Sequence, residues 1–331
     1  MHLSPVPLTD ARPAMLAVDN ILVARDFSAV SDRALRYGLV LAAHTGATLH
    51  VLHAEVLHSA DRADNRPSPM QGIDALRTEL REQGAASAEA LDAVSVVEVV
   101  RRDVTPAPAL LSYATEEDID LIAMGTHGRR GPSRILLGSV AEEVVRRAEQ
   151  PVLTIRGEDE EDRSVAAETV RRILVPVDFS DYSREALRTA HEWAALYDAE
   201  LHLLHVVVDD LHPAFYVGGV KSIYDAQPNL DEKVHEKLGR FATDVLGSTD
   251  GIETHVDTGS PASAIAGFAT EHDLDLVALS THGRTGLKRF FLGSVTEKVV
   301  RHVSCPVLTV KAFGKSLVAP TPESDASASV H

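Results

Sequence analysis

Two stretches of sixteen residues have the make-up of a phosphate-binding loop. The first runs Gly125-Thr126-His127-Gly128, then nine residues, then Gly138-Ser139-Val140. The second runs Ser280-Thr281-His282-Gly283, nine residues, then Gly293-Ser294-Val295. Neither contains an acid, although the chain has 49 Asp and Glu, and at that density roughly two would be expected in each. Each carries three cations: Arg129, Arg130 and Arg134 in one, Arg284, Lys288 and Arg289 in the other. Glycines let backbone N–H groups approach phosphate oxygens closely. A helix opening at Gly138-Ser139 points its N-terminal amides and dipole at an anion, and the Ser139 hydroxyl can cap it or donate to a phosphate. On a chain of net charge −17, an anion site needs this local relief from negative potential. The two stretches are therefore read as nucleotide-binding loops.

The elements that hold these loops come in two sets. Shifted by 155 residues, Asp118, Asp120 and Leu121 fall on Asp273, Asp275 and Leu276, and Pro151-Val152-Leu153-Thr154 on Pro306-Val307-Leu308-Thr309. Near the start of each copy the shift is 152: Ile21-Leu22-Val23 matches Ile173-Leu174-Val175, and Asp26-Phe27-Ser28 matches Asp178-Phe179-Ser180. This is a tandem duplication. Strands are expected at 21–24, 49–54, 96–100, 121–124 and 152–155, and again at 173–177, 201–207, 252–256, 276–279 and 307–310. They are rich in Val, Ile and Leu without clean alternation, as in parallel strands covered on both faces. Between them lie amphipathic stretches, such as Ser180-Asp181 followed by Ala186, Leu187, Ala190, Trp193, Ala194 and Tyr197. Alternating strands and helices predict two doubly wound α/β domains with parallel sheets. The phosphate loops then sit at strand ends, where such sheets bind ligands. Asp26 and Asp178, each ending a first strand, are carboxylates suited to a ribose hydroxyl pair.

The expected organisation is an N-terminal extension over 1–17, a first domain over 18–156, an acidic linker over 157–169, a second domain over 170–311 and a disordered tail over 312–331. Residues 59–70 and 209–228 look like variable surface connections. The acidic charge argues against nucleic acid as a partner. No apolar run approaches the roughly 20 residues of a membrane helix, and no secretory signal is evident. The single cysteine, Cys305, fits a reducing, cytoplasmic setting and is expected to be a buried small residue. His50 with His53 and His202 with His205 suggest metal, but residues three apart on a strand face opposite ways, so core or strand-end histidines are expected instead. With no GxxxxGK[ST] loop, no GxSxG elbow and no CxxC pair, no catalytic residue is assigned.

Gly, two residues, Gly, nine residues, Gly-Ser, with the Ile-Leu-Val…Asp-Phe-Ser opening and the Pro-Val-Leu ending of each copy, resembles the universal stress protein family in a tandem two-domain form. Gly259-Ser260-Pro261-Ala262 fits the same pattern. The resemblance implies five-stranded sheets ordered 3-2-1-4-5, of the adenine nucleotide alpha hydrolase-like kind. It implies ribose at Asp26 and Asp178, and adenine flanked by Ala54 and Met124 in one copy and by Val206 and Leu279 in the other. Phosphates would meet Gly125, Gly128, Arg129, Gly138, Ser139 and Val140, and in the second copy Gly283, Arg284, Gly293, Ser294 and Val295. The ligand would be ATP, with AMP and ADP as relatives and Mg²⁺ as a companion of the phosphates, bound as a ligand or signal in a stress response. A slow ATPase and an interaction scaffold without nucleotide are the alternatives. The strands at 152–155 and 307–310 would pair across an internal two-fold, making a pseudo-dimer within one chain and leaving homodimer formation through another surface open. There are three departures from the pattern. Ser280 replaces the first glycine, Arg25 stands where the second copy has Val177, and Asp103-Val104-Thr105 replaces Thr258-Gly259-Ser260.

Overall fold

The computed structural model describes residues 16–56, 68–127, 137–157, 170–208, 227, 229–283, 292–311 and 314–318. The first half holds β1 (Asn20–Ala24), α1 (Ala29–Thr45), β2 (Thr48–Val56), α2 (Ile73–Glu82), α3 (Ala88–Ala93), β3 (Val96–Asp103), α4 (Pro106–Glu116), β4 (Leu121–Gly125), α5 (Ser139–Arg147) and β5 (Val152–Ile155). The second holds β6 (Arg172–Pro176), α6 (Asp181–Tyr197), β7 (Glu200–Val207), α7 (Leu230–Leu246), β8 (Ile252–Thr258), α8 (Pro261–Glu271), β9 (Leu276–Ser280), α9 (Ser294–His302) and β10 (Val307–Val310). Each expected strand is present within a few residues of its expected ends.

Each half forms a parallel sheet in the order 3-2-1-4-5, and the two sheets join into one of ten strands: β3-β2-β1-β4-β5-β10-β9-β6-β7-β8. The join is antiparallel, with Leu153 opposite Leu308, Val152 opposite Thr309 and Thr154 opposite Val307. Two buried threonines repeat the two-fold in their side chains. Thr154 Oγ1 donates to the Val307 carbonyl and Thr309 Oγ1 to the Val152 carbonyl, each at 3.1 Å. The strand that would be an exposed apolar edge in one domain is thus covered by its copy, and the domains form a pseudo-dimer within the chain.

Alternation along the strands sends side chains into two cores. Ile21, Val23, Leu153, Ile173, Val175 and Leu308 join the core beneath α1, α2, α3, α6 and α7. Leu22, Ile122, Leu174 and Val277 join the one beneath α4, α5, α8 and α9. Covering both faces is why the strands read as continuous apolar runs.

The tail reading needs correction. Residues 314–318 return to the first domain: Leu317 is fully buried, its carbonyl accepts from the Ala17 amide at 2.9 Å, and Val318 bridges Leu16. Lys315 Nζ lies 2.6 Å from Asp120 Oδ1 and 2.8 Å from Asp118 Oδ1. One apolar anchor and one paired lysine outweigh the Ala-, Ser- and Pro-rich composition here. Residues 1–15, 158–169 and 319–331, and most of the 59–70 and 209–228 connections, lie outside the described residues.

Candidate functional site

The strand order reverses between β1 and β4 in one domain and between β6 and β9 in the other, so a crevice opens at the carboxyl ends of each pair. Asp26 stands two residues past the end of β1. Its Oδ1 accepts from the Ser28 amide at 3.0 Å and from Ser28 Oγ at 2.6 Å. Ser28 Oγ in turn accepts from the Ser31 amide at 3.2 Å, capping α1. In the second domain Asp178 Oδ1 accepts from the Ser180 amide at 3.0 Å and from Ser180 Oγ and Ser183 Oγ, both at 2.5 Å. Ser180 caps α6 in the same way. Each carboxylate is therefore tied through Oδ1 to the first turn of a helix. Asp178 Oδ2 is turned toward Gly283, where a Cβ would lie 3.0 Å from it.

Between the aspartate and its serine stand Phe27 and Phe179, in the left-handed region at φ 63° and 64°. A bulky residue there costs of order 1–3 kcal/mol and clusters at functional sites. Both rings pack on a histidine from the neighbouring strand, Phe27 on His53 at 4.9 Å and Phe179 on His205 at 4.6 Å. Those histidines hydrogen-bond through Nδ1 to the Arg25 carbonyl at 2.8 Å and the Val177 carbonyl at 2.7 Å. This is the strand-end role expected of them. The repeated Asp-Phe-Ser-x-x-Ser carried the signal for the serine brace, whereas the histidine under each phenylalanine is visible only once the strands are paired.

The loops close on the strand ends in the same way twice. The Gly138 amide donates to the Thr126 carbonyl at 2.8 Å and the Gly293 amide to the Thr281 carbonyl at 2.9 Å. A Cβ on Gly138 would sit 2.9 Å from the Thr126 carbonyl oxygen, and one on Gly293 3.2 Å from that of Thr281. This approach requires glycine at 138 and favours it at 293, whereas φ, at −62° and −60°, does not. Both glycines are N-caps without a side-chain hydrogen bond, of α5 and α9, unlike the serine-capped α1 and α6. The first amides of α5 and α9 thus donate no hydrogen bond to a side chain of the cap residue. Ser139 and Ser294, the first helical residues, are exposed, and Val140 and Val295 pack partly into the core. Met124 and Leu279 are buried on that same face, with Ala54 and Val206 partly buried beside it, so each pair lies on one side of the sheet. His127 Nδ1 lies 3.0 Å from Thr126 Oγ1, and burial, reinforced by Arg156, lowers its pKa. Gly128, Arg129 and Arg284 lie outside the described residues.

A model of the universal stress protein family matches residues 17–156 and 169–311. The chain belongs to the universal stress protein family. A universal stress protein of Methanocaldococcus jannaschii is 35% identical over 143 residues, which are 43% of this chain and 82% of the relative. A crystal structure of a protein of unknown function from Pseudomonas aeruginosa PAO1 superimposes with a TM-score of 0.62 at 21% identity, covering 91% of this chain and 95% of its own. A universal stress protein from Archaeoglobus fulgidus gives 0.55 at 23% identity, covering 88% and 96%. These two attest the two-domain fold.

The departures from the family pattern resolve by packing. A Cβ on Gly125 would lie 2.8 Å from Val30 Cγ1. The second universal stress protein domain has Tyr182 in place of Val30 and accepts Ser280, whose Oγ lies 3.3 Å from the His282 amide. Arg25 is buried and faces away from Ala54 and Met124. Its guanidinium donates to Asp32 at 2.9 Å and to the carbonyls of Pro69 and Gln71 at 2.6 and 2.8 Å. It does not lie on the side of the crevice that carries Ala54 and Met124. Gly259 has φ 127°, and Val104 at the equivalent turn has no left-handed φ. No helix among the described residues is long and apolar enough to cross a membrane.

Proposed function

We propose that each domain binds an adenine nucleotide, ATP foremost with ADP and AMP as relatives, as the ligand or signal of a cytoplasmic stress-response protein. The observation that carries this reading is the glycine N-cap of α5 and α9, pressed on a strand end where a Cβ would crowd a carbonyl oxygen, on the same crevice as a braced carboxylate. Phosphate oxygens would accept from the amides at Ser139 and Val140, or at Ser294 and Val295, with Arg129 and Arg284 adding positive charge. Asp26 or Asp178 would accept from ribose hydroxyls. Ala54 with Met124, or Val206 with Leu279, would cover the base. Mg²⁺ would travel with the phosphates. Hydrolysis needs a base to orient water, and no residue is assigned that role; the protein is a binder in this reading.

The test is calorimetric ATP titration, with Mg²⁺, of the wild type and of Ser139→Asp and Ser294→Asp. Aspartate at a first helical position suits the helix but repels phosphate. Two sites are expected in the wild type, each variant losing one, with negligible ADP formed. No heat, together with no competition from ATP, ADP or AMP, would overturn the reading.

A further inference from the structure

The histidines near the starts of β2 and β7 occupy equivalent places and have different neighbours. In the first domain His50 is satisfied: its Nδ1 lies 2.7 Å from the Tyr113 hydroxyl and its Nε2 3.3 Å from Asn20 Oδ1. The second domain has Phe268 and Arg172 in place of Tyr113 and Asn20, so His202 has neither partner. On the edge strand the change runs the other way. Val97 and Val99, which register with His50 and Leu52, are replaced by Glu253 and His255, which register with His202 and Leu204.

The result is a triangle of donor atoms. His202 Nδ1 and His255 Nε2 are 3.1 Å apart, and a Glu253 carboxylate oxygen lies 3.5 Å from the first and 3.7 Å from the second. Ligands at about 2.0–2.2 Å from a tetrahedral ion stand about 3.3–3.6 Å from one another, so the three atoms already approximate one face of such a tetrahedron. His202 is 6% exposed, and its other nitrogen, Nε2, is buried with no hydrogen-bond partner. The carboxylate nearest that nitrogen belongs to Glu200, at 3.8 Å. Binding an ion through Nδ1 puts the proton on Nε2, facing Glu200, which is the outer-shell arrangement that orients a metal-bound imidazole. The His255 ring is held against His202 at 5.3 Å and Phe268 at 4.7 Å.

We infer that His202, Glu253 and His255 form a binding site for a divalent first-row transition metal, Zn²⁺ foremost, that ties the edge strand β8 to β7 and leaves the fourth position to solvent. Two imidazoles and one carboxylate suit Zn²⁺ and its neighbours better than Mg²⁺ or Ca²⁺, which prefer oxygen ligands. The site lies toward the amino ends of its strands, away from the nucleotide crevice at the carboxyl ends. Its standing is therefore independent of ATP binding.

The test uses untagged full-length protein stripped with a chelator and titrated with Co²⁺, read by its visible absorption, then with Zn²⁺ against a chromophoric chelator. One equivalent per chain is expected, with affinity weakened on the order of 100-fold or more in Glu253→Gln and His255→Gln, and about 10-fold in Glu200→Gln. Zn²⁺ should also raise the thermal midpoint of the wild type and not that of His255→Gln. The Glu253 side chain is two-thirds exposed (66%), so Glu253→Gln retains the fold whatever becomes of His255→Gln. A wild type that takes up no stoichiometric metal, or a Glu253→Gln variant that binds it as tightly as the wild type, overturns the assignment. The second result would leave a hydrogen-bonded histidine pair.

Discussion

Gly125 and Ser280 end equivalent strands, and the helices over them explain why the residues differ. Val30 of α1 leaves no space for a Cβ at 125, while the second domain has Tyr182 at Val30's position and holds a serine at 280. A similar trade separates Arg25, bound to Asp32 and two loop carbonyls, from Val177, a core residue 4% exposed. Among the described residues, the first domain covers this flank with two short helices, α2 and α3, and the second with the 17-residue helix α7. The parts that line the crevice barely change: the serine-braced aspartate, the left-handed phenylalanine, the histidine under it and the glycine N-cap all recur. The lesson is that the two domains keep the backbone that lines the crevice and vary what supports it from behind. A motif departure is harmless when its packing partner has changed with it.

The largest effect tests that separation directly. Arg25→Val imports the second domain's residue without its surroundings and strands two carbonyls and Asp32. It should cost about 2–3 kcal/mol of stability in urea unfolding. ATP affinity of the first domain should change less than threefold, and a large gain would mean that Arg25 reaches the side of Ala54 and Met124. Next, Gly125→Ser should cost about 2 kcal/mol through the Val30 clash, and Val30→Ala in the same chain should recover much of it. Ser280→Gly should cost less than about 1 kcal/mol; equal costs at the two positions would break the comparison.

The seam between the domains gives a third, smaller effect. Arg156 and Lys311 are equivalent residues, each reaching into the other domain: Arg156 donates to the His302 carbonyl at 2.9 Å and Lys311 Nζ to the Val145 carbonyl. Lys311 is the buried one, and burial brings its pKa down to about 8. Above pH 8 the unfolded chain therefore holds this proton more tightly than the folded one. Stability should rise with pH from about 8 toward 10.5, by roughly 1–3 kcal/mol. Lys311→Met should flatten that rise and be more stable than the wild type at pH 7, as read from thermal midpoints across pH. The smallest expected effect is electrostatic. Moderate salt should screen the acidic surface and strengthen ATP binding by less than about tenfold in both domains. Affinity that falls steadily with salt would show that the loop cations dominate.

Much of the site was legible because its signals are local. Ser28 and Ser180 are caps at the expected helix starts, and the strand ends at Gly125 and Ser280 follow from apolar runs of known length. The glycine loops stand out by their lack of acids. Arg25 was harder to place, because a side chain at a strand end can turn to either face, and the carbonyls of Pro69 and Gln71 that decide it lie more than forty residues away. The histidines misled in another way. Taken along one strand, His202 and His205 point apart, and the neighbours that matter to His202 come from β8.

By itself, the order of residues determined the duplication, the α/β alternation, the glycine loops and the aspartate that precedes each first helix, because periodicity, capping and turn chemistry act over a few residues. The tertiary structure decided which departures are tolerated, how β5 and β10 join, why residues 314–318 are held, and that Glu253 and His255 meet His202. Each of these depends on strand register and on what packs behind a backbone, and neither is written in the spacing of neighbours along the chain.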